Sequence, residues 1–385
     1  MMQPTQGALH GVRVVEFGGL APASVAGLML SDLGADVIRI DRDGHPADTR
    51  ANTLRRGRRS ISIDLKSPTG RDVARCLIAR ADILLEPYRP GVMERLGLGP
   101  TDAAAINRRL IYARLTGWGQ DGPLAQRAGH DITYLALTGA LHPIGPADEP
   151  PVPPLNYVAD MAGGTMPLLI GILAAMHERA SSGLGQTVDA AMIDGVPMVA
   201  AALFRGLADG SWLPERGKNM LDGAAPYYRC YECADGRYIA VGAVEPQFYA
   251  ELVRGLGLQL DDLPAQNDRT QWPSVSGSFA AAFAGRTRDE WTRHFEDTDA
   301  CVAPVLSPEE APLHPHVAHR QAFVSIDGHY QPGPVPKLGR TPSTPSGPAP
   351  EPGQHSTEIL REAGLTDEQV TEALTSGAVR EGAPA

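Results

Sequence analysis

The sequence predicts an α/β protein with a Rossmann-like large domain built on a parallel sheet and a smaller α+β domain. Three observations carry this. Strand-like and helix-like segments alternate through the first 120 residues, the pattern of a parallel sheet covered by helices. At 385 residues the chain exceeds the needs of one simple core. Beyond residue 200 the text changes to a Gly/Pro/Asn-bearing connector, "LPERGKNMLDGAAP", followed by a strand hairpin.

Taken in order, "GVRVVEFG" is a strand by its β-branched run, "PASVAGLMLSDLGA" a helix ending in glycine, and "DVIRID" a second strand. "RSISIDL", the serine-capped "SPTGRDVARCLIARA", "DILLEPY" and "RLIYARLTG" repeat the alternation. Its first turn, "FGGLAPASVAG", lacks G-x-G-x-x-G, so the cradle for an NAD pyrophosphate is missing. "GGTMPLLIGILAAMHERASSG" follows "NYVAD" as a long apolar helix. The hairpin "YYRCYECADGRYIAVGA" turns at Asp-Gly, and short helices follow around "EPQFYAELVRGLGL" and "TRDEWTRHFEDTD". "GHYQPGPVPKLGRTPSTPSGPAPEPG" is an extended strap, and "STEILREAGLTDEQVTEAL" a helix pair that docks on the first domain. The expected division is 1–200, completed by 330–385, for the large domain and 225–325 for the small one, with 201–224 and 326–350 as linkers.

Composition excludes several classes. Net charge is −11, which argues against nucleic acid and anionic membranes as partners. No uninterrupted apolar run reaches the roughly 18 residues of a span, so no membrane insertion is expected. The N-terminus shows no basic, apolar and cleavage-site succession, so the expected location is cytoplasmic. Four cysteines make no disulfide framework. Cys230 and Cys233 form a C-x-x-C, but within a hairpin and with no second ligand pair. His314, His316 and His319 allow two ligands, yet Pro315 is expected to break any helix aligning them; no metal site is read here.

One basic cluster stands out: Arg50, Arg55, Arg56, Arg58, Arg59 and Lys66. It is dense enough to hold a phosphorylated small molecule, and a solvated loop explains it equally well. Three other ionisable groups sit at the ends of expected elements, where side chains converge in α/β proteins: His130 after Gly129, Asp160 before "MAGGTM", and Glu245 before Pro246. Each has a structural alternative, Asp160 as a helix N-cap, Glu245 as the opening of a helix, and His130 as a polar loop residue.

"PYRPGVMERLGLGP", "GHDITY", "PPLNYVADMAGG" and "RGKNMLDGAAPYYRCYECADGRYIAVGAVEPQFY" resemble α-methylacyl-CoA racemases within the family III CoA-transferases, nearly end to end. The resemblance implies that His130 and Asp160 are two bases flanking the α-carbon of a 2-methylacyl thioester and that Glu245 orients His130. It also implies an oxyanion donor in the backbone N–H of Asp131, beside Gly129 and Tyr134. CoA, part of the substrate and not a cofactor, would lie on Arg42, Ile63, Leu65, Lys66, Arg89 and Arg95. An interlocked homodimer is implied as well.

The chemistry fits those residue types, because inverting a carbon requires proton removal from one face and return to the other. Met161, Met166, Met176, Met192, Met198 and Met220, six of ten methionines, could let a bulky acyl group slide, with Met176 and Met198 expected as core filler. One departure is Ala224 where these racemases carry glycine. The alternatives are a CoA-transferase using Asp160 as nucleophile through a mixed anhydride, and a silent CoA-binding protein.

Overall fold

The computed structural model describes residues 7–42 and 52–382, and these form two compact units. Unit 1 comprises Met1–Thr138, Leu155–Val199 and Pro315–Ala385; unit 2 comprises Gly139–Pro154 and Ala200–His314.

The large unit opens with β1 (Arg13–Phe17), α1 (Ala21–Asp32), β2 (Asp36–Arg42), β3 (Arg58–Ile63), α2 (Pro68–Ile78) and β4 (Ile83–Glu86). It continues with α3 (Val92–Arg95), α4 (Pro100–Ile106), β5 (Ile111–Thr116) and α5 (Asp131–Leu137). A π-helical segment, Tyr157–Thr165, runs directly into α6 (Met166–Ser182), and β6 (Thr187–Ala191) and α7 (Met192–Val199) follow.

The smaller unit holds α8 (Ala201–Asp209), β7 (Tyr228–Glu232), β8 (Tyr238–Gly242), α9 (Pro246–Gly255), α10 (Trp272–Phe283), α11 (Arg288–Phe295) and β9 (Val302–Pro304). The chain then returns to the large unit with α12 (Pro315–His319), the hairpin β10 (Phe323–Ile326) and β11 (His329–Pro332), α13 (Ser356–Glu362), α14 (Asp367–Thr375) and β12 (Val379–Arg380).

The main sheet runs β12-β3-β2-β1-β4-β5-β6, parallel throughout except for β12, which pairs antiparallel with β3. From β3 to β6 this is the doubly wound order, whose strand sequence reverses between β1 and β4 and opens a crevice there. One face of the sheet is apolar: Val15, Ile38, Ile61 and Leu84 pack against Leu77 of α2 and Leu360 of α13.

The other face, under α1, is polar. Glu16 pairs in register with Arg39, and Arg39 with Ser60. Glu16 receives Arg39 and Arg58, while Asp41 receives Arg39 at 2.9 Å, Arg55 at 2.6 Å and the Ser60 hydroxyl at 2.5 Å. α1 can lie on this layer because it is small: a Cβ on Gly27 would stand 2.3 Å from Glu16 Oε2.

This layer corrects the reading of the basic cluster. Arg55, Arg56 and Arg58 are buried and committed to Asp41, Asp32 and Glu16, and Arg59 binds Asp36, Glu358 and Glu362. They hold the sheet to its helices instead of offering charge to a phosphate. Arg50 lies outside the described residues.

Residues 139–154 pack with the smaller unit, where the Arg216 guanidinium donates to the carbonyls of His142, Pro146 and Glu149. Residues 201–209, expected as linker, are helical. Pro315 starts α12 instead of breaking it, as its missing N–H allows at a first helical position. Among the described residues, no group of His, Cys, Asp or Glu is arranged to hold a metal. All four cysteines are free, with Cys233 buried and Cys230 exposed.

The helix Tyr157–Ser182 is long and apolar enough, with mean hydropathy 1.6, to cross a membrane by length and composition. It contacts β5 and β6, and its buried Arg179 pairs with Asp82 at 3.1 Å.

Candidate active site

At the switch point between β1 and β4 the large unit holds a cleft of about 790 Å³. The loops after β1 (Gly18 to Leu20), β4 (Pro87 to Pro90) and β5 (Gly117, Trp118) form its walls, and Arg39 and Asp41 of the polar layer reach its floor. Both His130 and Asp160 line it.

His130 is the N-cap residue of α5, in extended conformation (φ −140°, ψ 168°), and is exposed. The Thr133 hydroxyl accepts from the His130 N–H at 3.0 Å and donates to its carbonyl at 2.7 Å, fixing the backbone that carries the imidazole. Next to it, Asp131 is buried, and its Oδ2 accepts from the N–H groups of Ala159 and Asp160, both at 2.8 Å. The start of α5 is thereby bonded to the first turn of the π-helical segment, which puts the two ionisable groups in one cleft. π-helical turns widen a helix locally and recur at functional positions.

The N-cap alternative for Asp160 is overturned. Asp160 is the fourth residue of the segment, not its cap, and the carboxylate that satisfies the free N–H groups there is that of Asp131. Asp160 is half-buried, and burial raises its carboxyl above the ordinary range. The Nδ2 of Asn156, donating at 3.3 Å, and the His130 ring oppose that rise, and the Asp131 charge adds to it.

The aromatic wall is built from Trp118 and Tyr134, whose rings meet edge to face at 4.7 Å. Gly129 is required there, because a Cβ would stand 2.6 Å from Tyr134 and 2.7 Å from Trp118. Burial and the Asp160 charge push the Tyr134 hydroxyl up to about 12. Arg42, Arg89 and Arg127 also line the cleft, and among the described residues no carboxylate is paired with them.

The remaining sequence-derived candidates lie elsewhere. Ile63 is buried at the end of β3 opposite Val379, Leu65 packs on the apolar core, and Lys66 and Arg95 are exposed and outside the cleft lining. Glu245 belongs to the smaller unit, exposed at the N-cap of α9 with no capping bond from its side chain. Of the six methionines only Met192 lines the cleft. Met220 packs on the smaller unit's core, and Met198, expected as filler, is 77% exposed. The left-handed residue of "LDGAAPYY" is Gly223 (φ 86°), so Ala224 imposes no backbone strain. Trp118 and Arg127 escaped the sequence reading, although the glycines around "GWG" mark a tight approach.

A doubly wound sheet with a cationic cleft at its switch point and an Asp–His pair within it defines a class, and the match of residues 9–356 to CoA-transferase family III shows that the chain belongs to that family. Among its relatives, the alpha-methylacyl-CoA racemases of Mus musculus and Homo sapiens are 48% and 47% identical over 365 residues, covering 94% of this chain and 95% of each of theirs. The succinyl-CoA:glutarate CoA-transferase of Mus musculus is 28% identical over 401 residues, covering 97% of this chain and 90% of that one. The crystal structure of a CAIB/BAIF family protein from Brucella suis shares the fold with a TM-score of 0.81 at 24% identity, over 93% of this chain and all of that one.

Proposed function

We propose that the protein interconverts (R)- and (S)-2-methylacyl-CoA thioesters by two-base proton transfer through an enolate. The observation that carries this reading is the bonding of the Asp160 turn to the residue beside His130, which holds two unlike proton-transfer groups in one cleft. The 47–48% identity to named racemases supports it.

One group removes the α-proton and the other delivers a proton to the opposite face, so the active enzyme carries one proton between the pair. Burial raises the Asp160 carboxyl above its ordinary range, which favours the protonated form the group needs when it acts as the acid. The thioester acidifies the α-hydrogen and gathers the developing charge on its oxygen, for which the N–H of Asp131 at the start of α5 is the proposed donor. Arg42 and Arg89 would meet the CoA phosphates at the cleft rim. No dissociable cofactor is invoked, because CoA arrives and leaves as part of the substrate. Four free cysteines fit the reducing cytoplasm we assign to it.

The test is incubation with (R)- and (S)-2-methyldecanoyl-CoA in D₂O without an acid acceptor, following α-deuterium by mass spectrometry and configuration by chiral separation. Exchange with inversion from both enantiomers is expected. His130→Ala, with folding intact, should abolish exchange from one enantiomer far more than from the other, and equal residual rates would overturn the two-base scheme. Absence of exchange, with CoA moving once a carboxylic acid is supplied, would instead make Asp160 a nucleophile.

A further inference from the structure

We propose that the Asp131 carboxylate is a positioning residue for the reaction: it fixes Asp160 in register with His130 and supplies the negative charge against which Asp160 holds its proton. This rests on the two-base reading above, and goes beyond it by giving a role to a side chain of which that reading uses only the backbone.

The geometry is specific. Asp131 Oδ2 accepts two N–H groups of one turn, those of Ala159 and of Asp160 itself, each at 2.8 Å. Both are free donors of a helical first turn, and charge-assisted bonds to them are roughly twice as strong as neutral ones. Oδ1 is buried, with no hydrogen-bond partner among the described residues. A carboxylate here therefore leaves a charged oxygen desolvated without a partner, at a larger cost than a neutral amide or hydroxyl would carry. What the carboxylate adds over those groups is its charge. That charge sits at the start of two helical segments, where it is favoured, and beside Asp160, where it disfavours ionisation.

The elements packed against the Asp160 turn carry other titratable groups. α5 brings His130 and Tyr134 besides Asp131, α7 brings Asp194, β6 brings Asp189, β5 brings Tyr112 and Arg114, α6 brings His177, Glu178 and Arg179 toward its far end, and α1 brings Asp32 at its last residue. Among these, His130 favours the ionised form of Asp160 and Asp131 opposes it.

The experiment compares wild type, Asp131→Asn and Asp131→Ala in the D₂O exchange and racemisation assays across pH. Asp131→Asn keeps an oxygen for the two N–H groups and removes the charge. It is expected to lower kcat by about tenfold or more, with KM within about threefold, and to move the acid limb of the profile to lower pH. Asp131→Ala is expected to lose about 10²-fold in kcat, the scale of a misplaced catalytic group.

Wild-type kcat in Asp131→Asn, an acid limb that does not move, or a loss confined to KM would each overturn the proposal. Two readouts stand apart from turnover: amide hydrogen exchange of the peptide spanning Ala159 and Asp160, and ¹³C-carboxyl titration of Asp160. Faster amide exchange in Asp131→Ala, with an Asp160 titration moved to lower pH in Asp131→Asn, supports the positioning role even if wild type proves not to racemise. Unchanged amides and titration overturn that role even if wild type racemises.

Discussion

Asp160 sits between two opposed influences, burial and the neighbouring Asp131 charge raising its carboxyl, and the Asn156 amide and His130 lowering it. In the two-base scheme proposed above, activity needs one proton shared by Asp160 and His130, so it would fall on the acid side once both are protonated. A raised carboxyl moves that limb to higher pH than an ordinary aspartate would give. Asn156→Ala removes a hydrogen bond to the ionised form and should move the acid limb upward by up to about one pH unit; the pH profile of kcat/KM checks it, and a downward move would contradict the assignment. At this scale the site was legible in part. Gly-His-Asp at a helix start marked His130 because an N-cap interrupts both the helical and the extended pattern. Asp160 was found but misplaced, since in the sequence an aspartate before glycines looks like a cap, and nothing local reveals that Asp131, 29 residues away, already bonds those N–H groups.

The clearest test at the level of elements is α1. Its seat on the polar layer depends on Gly27, where a Cβ would press on Glu16 and stand 2.7 Å from an Arg58 nitrogen. The buried Glu16 pairs with both Arg39 and Arg58, and separating such a pair costs about 3–5 kcal/mol. Gly27→Ala should therefore destabilise the fold by at least about 3 kcal/mol, read from urea unfolding; a loss below about 1 kcal/mol, the scale of propensity differences, would show that the layer relaxes freely. The strands of the main sheet were legible because their β-branched runs are punctuated by glycine and serine caps. Their burial on both faces hid the polar layer, since Arg58 and Ser60 in "RRSISID" look like a solvated edge until Glu16 of β1 and Asp41 of β2 arrive as partners. α10 was missed because "WPSVSGSFAAAF" is rich in Ser and Gly, although Val275, Phe279 and Phe283 recur every fourth residue and are buried. The hairpin β10–β11 carried its own signal, the Asp327-Gly328 turn, inside a stretch read as small domain and strap.

Each unit encloses its own core, yet the large unit leaves a set of apolar side chains to water. Leu155 and Tyr157 on the approach to α6, Ile170 on α6 and Met198 on α7 are each more than 60% exposed, and Leu173 and Val199 lie on the same helices. The segment Tyr157–Thr165 contacts both α6 and α7, so these residues belong to one packed assembly. Large apolar side chains exposed together on neighbouring helices mark interaction surfaces, and most soluble oligomers are homo-oligomers. A second copy of the chain is accordingly the occupant we propose, as the resemblance to the racemases also implies. Periodicity alone could not expose this, because α6 is apolar on nearly all sides and a sequence does not say which side meets solvent. Sedimentation equilibrium should give a mass near twice 40.9 kDa, and Ile170→Glu with Met198→Glu should return it toward one chain while each subunit stays folded. Because charges introduced at exposed positions away from an interface change stability by no more than about 0.5 kcal/mol, a loss of mass without loss of folded signal would place the contact on this face. A wild type that sediments as a single chain at all concentrations would refute it.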